Sequence, residues 1–196
     1  LTMLDGNIAH IQLVNVFSAK MADDLKAAIR EARSAGATSA ILDLRGNPGG
    51  YLATSVEVAS QFLKDGVVAY ELTRDGVRTA IPVRRGGLAT EWPLVVLVNK
   101  GSASASEIVA AAIQDTKRGI LVGETTFGKG SIQQDFPLSD GSAVHVTIAN
   151  WLTPSGRNIS GVGLKPDIEV KLTEEDSKNN RDPQLDRAVQ YLKTGK

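Results

Sequence analysis

The sequence predicts a layered α/β fold with mostly parallel strands and a final amphipathic helix. Short apolar segments with strand periodicity alternate with amphipathic helical segments along the first two thirds of the chain. Gly-rich and Pro-rich loops separate these segments and mark where each strand or helix ends. Strand-helix-strand units place successive strands side by side in parallel, so we expect one parallel sheet covered by helices.

The first half of the chain justifies this fold class element by element. Ile8–Val16 alternates apolar side chains and predicts a strand. Met21–Ala35 contains good helix formers with one apolar stripe, and the following glycine ends the helix. Ser39–Leu44 is a compact apolar strand, and Ala53–Leu63 predicts a second helix.

The second half continues the pattern with a hairpin, a buried strand, a helix, two more strands, a charged flexible stretch and a last helix. These are predicted, in order, at Val67–Leu72 with Val77–Pro82, Leu94–Val98, Ala105–Thr116, Ile120–Val122, Ser142–Leu152, Thr173–Arg181, and from Asp182 onward.

The composition argues against several classes of protein. The chain has 22 Lys and Arg against 22 Asp and Glu, so it lacks the basic excess expected for nucleic-acid binding. No apolar run is long enough to span a membrane. Cysteine is absent, which removes disulfides, thiolate catalysis and cysteine metal sites. Nothing in the residues implies a metal or another cofactor.

Three glycine-rich loops follow predicted strands: Arg45–Gly50, Asn99–Ser104 and Glu124–Gly130. Ligands of parallel α/β sheets collect at the carboxyl ends of the strands. We therefore expect the functional site where these three loops meet.

The third loop lies in a segment, Gly123–Ser131 (GETTFGKGS), that resembles the phosphate-binding loop of nucleotide-binding proteins. That motif requires Ser or Thr directly after its lysine and a helix that follows. Here Gly130 follows Lys129, and the next residues reach Pro137 without a helical pattern. Nucleotide binding is therefore disfavoured.

The second loop ends at Ser104, which has two interpretations. Ser104 and Glu107 have the spacing of a capping box, a purely structural motif. Alternatively, the positive end of the following helix presents Ser104 as a nucleophile. The only histidines, His10 and His145, lie in strand patterns, so the partner of a nucleophilic serine would be a lysine.

Lys129 is the candidate base, and an exposed loop lysine is the alternative. A lysine accepts a proton only when neutral, which requires an apolar site because the ordinary lysine pKa is about 10.4. Flanking glycines permit close approach of the backbone. Phe127 and Ile132 are the expected apolar walls of such a site.

The first loop is either an ordinary tight turn or an anion-binding nest of backbone amides. In the second case, the amide of Gly49 or Gly50 and the amide of Ala105 would form a two-donor oxyanion hole.

Four motifs in order resemble the carboxy-terminal processing proteases, also called tail-specific proteases. They are DLRGNPGG (43–50), VNKGSASASEI (98–108), GETTFGKGSIQ (123–133) and TPSGRNISGVGLKPD (153–167). The resemblance implies that Ser104 is the nucleophile, that Lys129 is its base and that Gln133 orients the lysine. It also implies an oxyanion hole from Gly49 or Gly50 with Ala105, and a crotonase-like or Clp-protease-like layered core.

The same resemblance implies a serine endopeptidase with a serine-lysine dyad that cleaves proteins at or near apolar C-terminal tails. It places a protease core at residues 6–172 and a polar linker with a C-terminal helix at 173–196, without the PDZ module usual in the family. It implies an extracytoplasmic location, such as the periplasm, cell envelope or thylakoid lumen, and leaves homo-oligomerisation open. The alternatives are a non-catalytic or latent peptide-binding core and an acyl-CoA enzyme, for which no carboxylate pair is visible.

Overall fold

The computed structural model describes all 196 residues and contains ten strands and five helices. The strands are β1 (Thr2–Leu4), β2 (Ile8–Gln12), β3 (Ser39–Asp43), β4 (Val67–Thr73), β5 (Arg78–Pro82), β6 (Leu94–Val98), β7 (Ile120–Gly123), β8 (Ser131–Pro137), β9 (Ala143–Leu152) and β10 (Ile168–Glu169). The helices are α1 (Met21–Ser34), α2 (Leu52–Ala59), α3 (Ala105–Asp115), α4 (Glu174–Lys178) and α5 (Pro183–Thr194).

A six-stranded sheet in the order β1-β2-β3-β6-β7-β10 forms the centre of the molecule. Only the β1–β2 pair is antiparallel, so the prediction of a mostly parallel sheet is confirmed. β6 is buried along its whole length, as expected for a central parallel strand covered on both faces.

Alternating side chains of the central strands belong to two separate apolar cores. The larger core, with Ala40, Leu42 and Val96, includes residues of α1, α2 and α3. The smaller core, with Ile41 and Val95, includes α5. The period of two in a strand thus places helices on both faces of the sheet.

A second sheet, in the order β5-β4-β9-β8, is entirely antiparallel. Its β4–β5 hairpin confirms the prediction, whereas the pairing of β9 with β4 and with β8 was not predicted. The sequence pattern predicts β9 but assigns β8 to no element. Most of β8 is exposed and its sequence, SIQQDFP, has little apolar alternation. β8 forms because it pairs with β9, a contact that its own local sequence does not signal.

The C-terminal region differs from the expected charged flexible stretch. Residues 174–178 form the short helix α4, because Thr173 caps it and accepts a hydrogen bond from Asp176 N–H. α5 then begins as predicted, with Asp182 as its cap. None of the five helices is both long enough and apolar enough to cross a membrane.

Candidate active site

The three glycine-rich loops meet at one edge of the central sheet, as predicted. They follow β3, β6 and β7, which are neighbours in the sheet. Ala103 N–H donates to Asn47 O at 2.9 Å, which joins the first loop to the second. Phe127 N–H donates to Ser102 O at 3.0 Å, which joins the second loop to the third.

Ser104 immediately precedes α3 as its N-cap residue and has a strained backbone conformation. Its φ is 55° and its ψ is −118°, a region that residues other than glycine rarely adopt. Such strain persists only where the surroundings hold it in place. Here Ser104 N–H donates to Glu107 Oε2 at 2.8 Å, which is the carboxylate half of the predicted capping box. The Ser104 hydroxyl faces the Glu107 N–H as the predicted capping box requires, but the two do not form a hydrogen bond of normal geometry.

Glu107 connects this serine to the candidate base. Its side chain is fully buried, and Gly128 N–H and Lys129 N–H donate to its two carboxylate oxygens at 2.7 and 2.8 Å. The Thr126 hydroxyl also donates to Glu107 Oε1. One carboxylate therefore holds the backbones of both Ser104 and Lys129.

Sequence spacing assigns Glu107 only to the capping box. The spacing between Ser104 and Glu107 predicts the hydrogen bond from the Ser104 N–H, because capping boxes have a fixed four-residue pattern. No local signal indicates the other three donors, since they come from a different loop.

Ser104, Lys129 and Gln133 line one cavity of about 200 Å³. Glycine backbone of the first loop lines it as well. Its other walls are mainly apolar side chains: Leu52, Ala105, Ile108, Ile132 and Trp151. The expectation for Ile132 is confirmed. The expectation for Phe127 is wrong, since its side chain is 65% exposed and lies outside this cavity.

Lys129 is half-buried, and both of its backbone groups are fixed. Its N–H donates to Glu107, and its carbonyl accepts a hydrogen bond of 3.0 Å from Trp151 Nε1. Its ammonium group forms no hydrogen bond with the Ser104 hydroxyl. The two side chains therefore line the same cavity without a hydrogen bond between them.

Gln133 is exposed and follows an irregularity in the strand pairing. Ile132 pairs with Ala149 and Gln133 pairs with Thr147, so β9 has one extra residue at this step. Bulges of this kind redirect side chains beside functional sites. Ile132 and Gln133 both line the cavity, although a regular strand would point them to opposite faces.

The glycine turn offers one free backbone donor. Gly49 N–H donates to Asn47 Oδ1 at 2.8 Å and is therefore already used. Neither Gly50 N–H nor Ala105 N–H has an acceptor within the chain. Of the two glycines considered for the oxyanion hole, Gly50 has the amide that remains available to a ligand.

Gly49 lies directly against the Ser104 turn. A Cβ atom at this position would lie 2.6 Å from Ala103 O and 2.8 Å from Ala105 N. Its φ of 96° also favours glycine. This close approach brings the first loop up to the amino end of α3.

The two histidines lie elsewhere. His10 is buried on β2, and its Nε2 is 3.1 Å from Asp43 Oδ2. His145 is exposed on β9 and pairs with Asp135. Neither histidine lines the cavity that contains Ser104, in agreement with their assignment to strands.

Comparison with known proteins places these features in a family. The sequence profile of peptidase family S41 matches residues 7–170. The chain belongs to peptidase family S41. This is a family of serine peptidases, and the match covers all four motifs identified in the sequence.

Among S41 relatives, the chain is similar to proteins named as carboxyl-terminal processing peptidases. It is 46% identical to carboxyl-terminal-processing peptidase 3, chloroplastic, of Arabidopsis thaliana over 86% of its length and 33% of the relative. It is 44% identical to the carboxyl-terminal-processing protease of Synechocystis over 84% of its length and 38% of the relative. The chain thus spans little more than a third of the length of these curated relatives.

A solved S41 structure supports the fold. The photosystem II D1 C-terminal processing protease matches with a TM-score of 0.77 and 36% identity, over 87% of this chain and 45% of that one. The mixed α/β architecture with a mostly parallel sheet is therefore the architecture of an S41 protease.

Proposed function

We propose that this chain is a serine endopeptidase in which Ser104 is the nucleophile and Lys129 the general base. The observation that carries the proposal is the single cavity lined by Ser104, Lys129 and Gln133, beside two free backbone amides. A nucleophile needs a base within reach and donors for the developing oxyanion, and this cavity has candidates for both.

In the proposed reaction, Lys129 Nζ takes the proton of the Ser104 hydroxyl as Oγ attacks the scissile carbonyl carbon. Gly50 N–H and Ala105 N–H donate to the resulting oxyanion. The Lys129 ammonium then protonates the leaving amine as the peptide C–N bond breaks. Lys129 next deprotonates a water molecule that attacks the acyl-enzyme, which releases a carboxylate and regenerates the serine.

The substrate class follows from the cavity walls and from the relatives. Leu52, Ile108 and Trp151 form an apolar pocket beside Ser104, so we propose an apolar side chain next to the scissile bond. The names of the relatives support cleavage at or near C-terminal tails. Gln133 would hold the Lys129 side chain as it moves toward Ser104.

The broader parts of the proposal rest on the same resemblance. Residues 6–172 would form the serine-lysine protease core, with a crotonase-like arrangement of layers, and residues 173–196 a linker and helix. The resemblance also carries the proposed extracytoplasmic location, such as the periplasm, cell envelope or thylakoid lumen, and one relative is named as chloroplastic.

A fluorophosphonate probe tests the dyad directly. We expect covalent labelling at Ser104, abolished in Ser104→Ala and reduced at least tenfold in Lys129→Met. Lys100→Ala is the matched control. Lys100 lies in the second loop, next to the loop that contains Lys129, and 83% of its side chain is exposed. Labelling that survives Ser104→Ala, or that Lys129→Met leaves unchanged, would contradict the proposal.

A latent peptide-binding core is the second candidate. The observation that favours it is the missing hydrogen bond between Ser104 and Lys129. Catalytic hydrogen bonds often form only in the substrate complex, so the same observation fits an active enzyme. A latent core would bind tail peptides with no probe labelling and no turnover, whereas an active one would show all three.

A further inference from the structure

A second, larger cavity adjoins the one that contains Ser104. It has a volume of about 790 Å³ and shares Gly50, Tyr51 and Gln133 with the inner cavity. Its other lining residues are Val16, Ser18, Gln134, Asp135 and His145. A continuous groove therefore extends outward from Ser104, between the glycine turn and the β8–β9 hairpin.

One side of this groove is a strand with an open edge. β8 pairs with β9 on one side only and is the last strand of its sheet. Its outer N–H and C=O groups are free to pair with an extended peptide, as in β-strand addition. A peptide that enters the cavity beside Ser104 can therefore continue along β8 as an additional strand.

Asp135 supplies the charge of the outer cavity. It is the only carboxylate among the lining residues, and no lysine or arginine is among them. Asp135 and His145 are cross-strand partners, with Asp135 Oδ1 2.5 Å from His145 Nδ1. Asp135 Oδ2 makes no hydrogen bond within the chain, so one carboxylate oxygen is available to a ligand.

The position of Asp135 on β8 defines which part of a peptide it reaches. Asp135 is two residues beyond Gln133, so both side chains lie on one face of the strand, roughly 6.6 Å apart. A peptide residue beside Asp135 would therefore be two positions from the residue beside Gln133. This peptide residue would lie outside the apolar pocket formed by Leu52 and Trp151, since Asp135 does not line that pocket.

We propose that the outer cavity is a specificity subsite, in which Asp135 and His145 bind a lysine or arginine side chain of a substrate that lies extended along β8. The proposal rests on the proposed function, in that the peptide bound here is the one Ser104 cleaves. It adds a cationic requirement at one position to the apolar requirement at the scissile bond.

The test is a set of otherwise neutral peptides in which a single lysine moves through each position around the scissile bond. We expect kcat/KM to rise about two- to fivefold at one position, the gain expected for an exposed ion pair. The gain should disappear in Asp135→Asn and at high salt. In Asp135→Lys, glutamate should become the preferred residue at that same position.

Asp140→Asn is the matched control, because Asp140 lies in the turn of the same hairpin and outside the groove. It should keep the lysine preference. No positional preference, or one that Asp135→Asn retains, would overturn the subsite.

Binding of the same peptides to Ser104→Ala, followed by fluorescence anisotropy, separates the two proposals. A lysine preference in binding without any cleavage by the unmodified chain would contradict the endopeptidase and support the subsite. Cleavage without a lysine preference would support the endopeptidase and contradict the subsite.

Discussion

The buried contacts around Glu107 and the exposed β8–β9 hairpin contribute different parts of the same groove. Glu107 is fully buried and accepts hydrogen bonds from the backbones of Ser104 and Lys129. Asp135 and His145, in contrast, lie on β8 and β9, where both residues are exposed. The groups proposed for chemistry are thus fixed by buried polar contacts, whereas those proposed for recognition lie on the surface.

This difference has a physical basis. Reacting groups must be held within about 0.5 Å of their productive positions, which requires buried and fully bonded support. A strand edge instead binds a peptide through backbone groups that every substrate shares, and it can accept varied side chains. Substitutions in the two regions should therefore differ in their effects, and the largest effects should fall on the buried one.

Glu107→Ala should have the largest effect, because it removes the buried contacts around Glu107. The substitution leaves four donors without an acceptor, two of them buried and two partly buried, and each unsatisfied buried group costs about 1–3 kcal/mol. Allowing for relaxation, we expect the free energy of unfolding to fall by about 3–5 kcal/mol, measured by urea denaturation. Probe labelling of the remaining folded protein should slow on the order of 100-fold, because Ser104 and Lys129 lose their shared support.

Glu107→Gln keeps the shape but replaces one acceptor oxygen with a donor. It should cost less stability than the alanine variant and still slow labelling. A Glu107→Gln variant that labels at the unmodified rate would show that the carboxylate does not position the two groups.

Gly49→Ala and Gly141→Ala compare a crowded glycine with an open one. Both have positive φ, at 96° and 85°, but only Gly49 would place a Cβ atom against neighbouring backbone. We expect a loss of about 1 kcal/mol for Gly141→Ala, from backbone conformation alone. For Gly49→Ala we expect about 2–4 kcal/mol, together with loss of probe labelling. Equal losses by thermal denaturation would contradict the close packing of the glycine turn against Ser104.

Acid sensitivity tests a second buried carboxylate, Asp43, which lies at the end of β3 just before the glycine turn. Burial alone would raise the pKa of Asp43, but hydrogen bonds from His10 and Arg45 outweigh it and hold this pKa well below its usual range. A depressed folded-state pKa contributes stability that is present above the unfolded value of about 3.9 and is lost as the pH falls below it.

Between about pH 5 and pH 2, Asp43 should therefore account for a fall of on the order of 2 kcal/mol in the free energy of unfolding of the unmodified chain. The Asp43→Asn variant should lack this part of the fall. Asp23→Asn is the control, since Asp23 lies on α1 and 79% of its side chain is exposed. Urea denaturation at a series of pH values measures both. If the two variants have the same pH profile, Asp43 does not account for the acid sensitivity.

Val146→Thr should have the smallest effect. Val146 lies on the exposed hairpin and is 40% exposed. Substitutions at such positions usually change stability by less than about 0.5 kcal/mol. We expect an unchanged labelling rate and a thermal midpoint within experimental scatter. A large loss in either would show that the hairpin is as tightly constrained as the Glu107 region.

Local patterns predict most of the parallel sheet, its helices and the loops in which the site lies. The sequence motifs alone identify Ser104, Lys129 and Gln133, and the fold brings all three to one cavity. The choice between Gly49 and Gly50 could not be made from sequence. It depends on where each amide points, and Asn47 occupies only that of Gly49.

By itself, the sequence determined the α/β class, the family and the polar candidates Ser104, Lys129 and Gln133, because apolar periodicity and short motifs are local. Only the tertiary structure determined the pairing of β9 with β4 and β8, the open edge of β8 and the bridging role of Glu107. These depend on contacts between residues far apart in the chain, and the physical reason is the same for each. A backbone amide, a strand edge or a buried carboxylate acquires its role from the partner that folding brings to it, and local sequence does not specify that partner.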